Sequence, residues 1–230
     1  TKETAILLVG IFFVYLLVFG LFLKVRMPHS TSVLDFALYF SAGYFPWVFF
    51  SSSVMRGATS IVDNRNYIKK VAFPSEIFPI TVLLSELVSL AISMCIVVLF
   101  SLYLSGFSWL LLLLPFVVFL QIVFTAACVF LVSAVTVFFR DVPQLLNSIF
   151  MVWFWLTPIA YTADLVPKQL GIFVYLNPMH HILALYRSIL CHGSMLNGWM
   201  LLATAFFSCI LLYGSVSVFQ RAKRHFSDLL

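Results

Sequence analysis

The side chains able to do chemistry are few and are scattered through an apolar chain. Glu86 is the one acid well inside a run of membrane-spanning length, with Ser85 and Ser89 close by. A carboxylate at that depth costs on the order of 3 kcal/mol unless it is paired, wetted or protonated. It marks either a water-lined path or partner contact, or else a structural hydrogen bond between helices. A proton relay would want several acids at that depth. His180 and His181 adjoin, and neighbours on a helix point about 100° apart, so they do not predict a shared metal. Trp153-Phe154-Trp155 lies mid-run, just before Thr157-Pro158. Aromatic faces stack on sugar rings while tolerating sliding, which suits a path for a long carbohydrate; core packing is the alternative.

Several chemistries have no footing. There is no Gly-x-x-x-x-Gly-Lys-Ser/Thr and no Gly-Lys pair anywhere. A phosphate-binding loop needs that glycine-rich turn so that backbone N–H groups reach the phosphates, so the chain does not hydrolyse ATP by that route. No His-x-x-x-His, no Cys/His cluster of metal spacing and no Ser/His/Asp set is legible, and no cofactor or metal is expected on the chain itself. Cys95, Cys128, Cys191 and Cys209 lack C-x-x-C spacing; three sit in apolar runs and read as packing residues. An integral membrane enzyme would have to draw on Asp35, Asp164, His180, His181 and His192. A channel would conduct without any energy-supplying partner.

The elements that must position these residues belong to a membrane. The chain is 63% hydrophobic and 9% charged, with mean hydropathy +1.11. A soluble chain of 230 residues cannot hide that much apolar surface. We read residues 1–230 as a single all-α transmembrane domain. Six runs meet the roughly 20 residues a span requires, the third and fourth being longer than a bilayer needs: Ala5–Leu23, Phe36–Met55, Ile77–Leu104, Trp109–Phe138, Pro143–Tyr161 and Trp199–Phe219. With the N-terminus cytoplasmic, nine Lys and Arg fall inside (Lys2, Arg56, Arg65, Lys69, Lys70, Arg140, Arg221, Lys223, Arg224) and four outside (Lys24, Arg26, Lys168, Arg187). That bias predicts both termini cytoplasmic. The net charge of +5 follows this placement and does not point to nucleic acid.

Three connections stand out. Thr162–Asn197 stays apolar in two pieces, Leu165–Leu176 and Met179–Leu190, each below the lower span limit of roughly 17 residues. Asn177-Pro178 is a turn signal between them. Two short helices dipping into the outer leaflet fit, as does a loop on the membrane surface. In Arg56–Ser75, Asp63, Asn64, Arg65, Lys69 and Lys70 interleave with Ile61, Val62, Tyr67 and Ile68. A short amphipathic helix there could dock a cytoplasmic partner; a basic loop that only sets topology is the other reading. Asp141 is placed to cap the fifth span. Trp47, Trp109 and Trp199 lie near span ends, where belt residues collect.

Five motifs then occur in order: Ser41-Ala42-Gly43-Tyr44-Phe45-Pro46-Trp47; Asn64 with Lys70-Val71-Ala72-Phe73-Pro74-Ser75-Glu76; Phe138-Phe139-Arg140-Asp141; Phe154-Trp155-Leu156-Thr157-Pro158-Ile159-Ala160-Tyr161; and Tyr175-Leu176-Asn177-Pro178-Met179. Through nearly its whole length the chain resembles the membrane subunit of polysaccharide ABC exporters, the type-2 permeases that export O-antigen, teichoic acid or capsule.

The resemblance implies six spans, a homodimer in the bacterial inner membrane, and a separate nucleotide-binding subunit that holds ATP and Mg. It implies a cytoplasmic coupling helix around Gly57–Tyr67 and a re-entrant hairpin at Thr162–Asn197. It also implies a substrate path between protomers, entered by lipid-linked polysaccharide. Family members begin with an interfacial helix; here only Thr1–Thr4 precede the first run, so that helix is expected to be absent. On this reading Asp63, Asn64, Arg65, Tyr67, Arg140 and Asp141 contact the ATPase. Tyr44, Phe45, Trp47, Phe49, Trp153 and Trp155, with Glu86, contribute to the path. A sliding polymer must be held at every step without a deep well, which suits π-faces better than fixed charges.

Overall fold

The structure, a computed structural model, describes residues 33–70, 74–162, 166, 171–191 and 198–226. The predicted first span, Ala5–Leu23, lies outside them, as do Asp164, Lys168 and His192. The described residues form α1 (Val33–Asp63), α2 (Arg65–Lys70), α3 (Ile77–Ser105), a 3-10 turn (Trp109–Leu113) running into α4 (Leu114–Phe138), α5 (Val142–Leu156), α6 (Gly171–Tyr175), α7 (Pro178–Leu190) and α8 (Gly198–Lys223). Among the described residues four stretches are long and apolar enough to cross a bilayer: Val33–Tyr67, Ile77–Ser105, Trp109–Phe138 and Gly198–Lys223.

α1 is the hub. It packs against α3, α4, α5 and α7, and two thirds of its most apolar stretch is buried, whereas α3 and α8 turn most of their surface outward. An apolar helix packed all round is a core helix; one packed on a single stripe offers the rest to lipid. α1 lies close to α4 because position 57 is glycine. A Cβ there would sit 2.7 Å from Val129 Cγ1. We expect Gly57→Ala to lower thermal stability in detergent by about 1–3 kcal/mol, the range for overpacking. Val129→Ala in the same chain should recover most of that loss; no recovery would mean the strain lies elsewhere.

The bundle has two distinct ends. Ile61 of α1, Ala134 and Val137 of α4, and Phe219 of α8 form one buried cluster with Phe226, so the C-terminal turns of three helices meet. Lys223 Nζ joins this end to the start of α3, donating to Glu76 Oε1 at 2.7 Å and Oε2 at 2.9 Å. At the opposite end Ser101 Oγ of α3 donates to Leu190 O at the close of α7, and Tyr39 Oη of α1 donates to Tyr161 O. Every described Lys and Arg except Arg187 falls toward the first end, which we call the basic end.

Element boundaries depart from expectation in three places. No separate helix covers Gly57–Tyr67: α1 continues to Asp63, and only after a turn at Asn64 does the six-residue α2 begin. Asn64 closes α1 by donating from Nδ2 to Ser60 O at 2.8 Å. The fifth run stops at Leu156, not Tyr161, because Thr157 precedes proline and takes an extended conformation (φ −92°, ψ 125°). Its helix has 15 residues, a length of about 22 Å and short of a full span. Asp141 stands at the head of α5 in a helical conformation and makes no side-chain cap; Pro143 has no N–H to donate, and the Gln144 N–H donates to the Asp141 backbone carbonyl instead.

Candidate functional site

At the basic end the structure gathers the residues read as partner-facing. Asp63, Arg65 and Tyr67 are exposed at the junction of α1 and α2. Arg140 and Asp141 are exposed in the α4–α5 turn, beside Phe139, which is 67% exposed. Charged groups flanking bare aromatic rings have the anatomy of a docking surface. The Glu76–Lys223 pair belongs to the same end. Burial alone would raise the Glu76 carboxyl, but the Lys223 ammonium bonded to it outweighs that and holds it below the ordinary value. The pair therefore stabilises this end above the ordinary carboxyl pKa and stops doing so as pH falls through the depressed value.

Glu86 is not the isolated acid its surroundings suggest. It forms an ion pair with Arg56. Arg56 lies seven residues before the end of α1 and Glu86 nine residues after the start of α3, so the pair sits ~10 Å in from the basic end. Arg56, expected in a loop, is inside the helix and reaches sideways to the acid. Of the two readings of Glu86, a tie between helices is the one this geometry supports.

The aromatic residues divide. Tyr44, Trp47 and Phe49 are buried, at most 4% exposed, and Phe45 packs against the same core. Trp47 meets Phe150 and Trp153 edge-on at 6.1 and 5.9 Å, and Trp153 stacks on Phe150 at 5.9 Å. Phe50 stacks on Phe124, which brings α4 into the same cluster. Trp153 Nε1 also donates to Asn177 Oδ1 at 3.0 Å. These rings glue α1, α4 and α5 together. Trp155, two residues on, is 50% exposed.

Three faces of α5 follow from 100° steps around its axis. Leu146, Phe150 and Trp153 face the core. Leu145, Ile149, Val152 and Leu156 form an exposed apolar stripe. Gln144, Asn147, Ser148, Met151 and Trp155 form a second exposed stripe, polar toward the basic end and aromatic toward the other. By contrast, an open groove of about 280 Å3 between α3 and α4, lined by residues such as Leu87, Met94, Val118 and Ile122, is wholly apolar and suits no sugar.

At the end away from the basic residues, polar contacts join two of the sequence motifs. Asn177 caps α7 by accepting from Met179 N at 3.0 Å, and its Nδ2 donates to Thr157 Oγ1 at 2.7 Å. The turn between α6 and α7 is thereby stitched to the end of α5. Arg187, counted from sequence only as an outer charge, is a buried member of this assembly. Its Nη1 donates to Pro158 O at 2.7 Å and its Nη2 to Ile159 O at 2.9 Å. The guanidinium lies 3.7 Å from the Tyr39 ring centroid. A Cβ on Gly43 would stand 2.6 Å from Nη2, which explains the glycine in the α1 motif. Gln121, the lone amide of its run, links three helices: Nε2 donates to Pro46 O at 2.7 Å, and Oε1 accepts from Tyr186 Oη at 2.6 Å. Its isolation in an apolar run was the signal that could have found it. Arg187 gave none, because nothing in its spacing tells a buried arginine from a loop charge.

The ABC-2 type transporter family matches residues 2–191. The chain belongs to the ABC-2 type transporter family. Its helices make it a multi-pass membrane subunit of that family. It is similar to an O-antigen export system permease protein of Myxococcus xanthus, 28% identical over 94% of this chain and 82% of that protein. Two O-antigen export system permease proteins of Klebsiella pneumoniae are 27% and 26% identical, with the same coverage.

Proposed function

We propose that this ABC-2 permease is the membrane half of an ATP-driven exporter that moves lipid-linked polysaccharide, O-antigen in class, across a bacterial inner membrane. The observation that carries the reading is the family match, joined to relatives named as O-antigen export permeases that align over nearly the whole chain. The chain works as a homodimer with a separate ATPase subunit that binds ATP and Mg, and is not itself an enzyme. Both termini are cytoplasmic, so the basic end faces the cytoplasm; the gathering of Lys and Arg there supports this. Six spans are counted with Ala5–Leu23 and with the fifth run, in which the apolar, non-helical stretch Thr157–Tyr161 carries the chain on beyond the 15 residues of α5. α6 and α7 form the re-entrant hairpin. In support, α7 is about 20 Å long, too short to cross, and its buried residues include Arg187.

The ATPase docks on Asp63, Asn64, Arg65 and Tyr67 of the α1–α2 junction, with Arg140 and Asp141 on the same face. Arg65→Glu should reduce recovery of the ATPase with the permease about tenfold, as for a reversed charge at an interface rim, while leaving membrane insertion intact. Unchanged co-purification and unchanged export would remove this residue from the docking face. The path runs along α5 and includes Trp155; the buried Tyr44, Trp47 and Phe49 serve it by holding α5 in place.

A further inference from the structure

We infer that the cytoplasmic half of the path is a hydrogen-bonding subsite for the hydroxyl groups of the glycan, formed by Gln144, Asn147 and Ser148 on the outward face of α5. This rests on the exporter reading above and assigns that path a chemistry the aromatic residues alone do not give it.

The argument starts from what a membrane helix can expose. A hydroxyl can bond a carbonyl one turn back on its own helix, as Ser93, Ser217 and Thr204 do here. A side-chain amide offers two donors and two acceptor sites and cannot satisfy them all that way. Asn147 and Gln144 are exposed and make no side-chain hydrogen bond among the described residues. Lipid chains cannot supply the missing partners. Water or a polar cargo can.

The amides share one face of the helix. They lie one turn apart on the same face as Ser148, Met151 and Trp155, while Leu145, Ile149, Val152 and Leu156 hold the adjacent face. The outward surface of α5 is thus split lengthwise into a stripe fit for lipid and a stripe fit for a polar chain. The polar stripe carries no ionisable group from Gln144 to Trp155. A neutral stripe of amides and hydroxyl followed by an indole matches a hydroxyl-rich polymer. The amides exchange hydrogen bonds with successive hydroxyls, and the ring then supports a sugar face. Neutral bonds are also the weaker kind, so the chain is held without being trapped.

The test is surface polysaccharide in cells lacking their own permease and given this one with its ATPase, measured with the cells' lipid-linked polysaccharide as cargo. Gln144→Leu with Asn147→Leu should slow its appearance at least about fivefold, the worth of roughly one net hydrogen bond, with expression, self-association and ATPase recovery unchanged. Gln144→Asn with Asn147→Gln keeps the amides and should restore most of the rate. Ile149→Ala on the lipid stripe should export at the original rate. Equal export by the leucine pair would overturn the subsite. Loss of self-association in that pair would also overturn it, assigning the face to a second copy of the chain. If the unaltered permease restores no polysaccharide, the exporter reading falls and the subsite with it.

Discussion

Arg187→Met should destabilise the protein by about 2–4 kcal/mol, read as a lower unfolding temperature in detergent. The substitution keeps the stem and removes the donors. Pro158 O and Ile159 O then lose partners at 2.7 and 2.9 Å, and each unsatisfied buried carbonyl costs on the order of 1–3 kcal/mol. Part of the loss is offset, because burying a guanidinium is itself costly. Arg187→Lys should fall between the two. An ammonium keeps the charge but not the planar fork that reaches two carbonyls while lying on the Tyr39 ring. If the Met variant is as stable as the parent, the end of the bundle away from the basic residues is held by the Asn177 contacts and not by Arg187.

The second large effect separates two tryptophans two residues apart. Trp153→Ala should cost about 3–5 kcal/mol, the range for a large aromatic removed from a packed core. It deletes ring contacts to Trp47, Phe50 and Phe150 together with the bond to Asn177. Trp155→Ala should change stability by less than about 1 kcal/mol, as for a side chain half in the open. It should slow export by about three- to tenfold, the worth of one stacking face. The measurements are thermal unfolding of each variant and polysaccharide arrival at the cell surface. Equal unfolding temperatures for both variants would contradict the division of α5 into a core face and a path face.

What the sequence reveals here depends on what each feature rests on. Span-length runs are legible because bilayer thickness acts on every residue in them, so α3, α4 and α8 match the predicted segments closely. The fifth run ends early for a reason that was also written, Thr157-Pro158, but apolarity continues past it and hides the stop. The resemblance implies a separate helix around Gly57–Tyr67, where α1 runs on to Asp63 instead; the charge at Arg56 reads as the start of a loop because its partner, Glu86 on α3, is 30 residues away in sequence. Facing is the least legible property. Their aromatic rings mark Tyr44, Trp47 and Trp153 in the sequence, and residue type does not say which side of a helix meets a neighbour. The polar stripe of α5 was equally invisible: Gln144, Asn147 and Ser148 look like punctuation near a span start until the buried face of the same helix is known. Arg187 needed the fold itself, since its partners are backbone carbonyls 28 and 29 residues away.

The central claim is that this chain moves a lipid-linked polysaccharide only when a separate subunit supplies ATP hydrolysis. The direct measurement is reconstitution of the purified permease with its ATPase in lipid vesicles, following transfer of lipid-linked O-antigen to the opposite face. The account predicts transfer that requires both subunits and ATP with Mg, and none from either subunit alone. Transfer or chemical turnover of the lipid-linked sugar by this chain without ATP, or no transfer from the complete assembly, would contradict it.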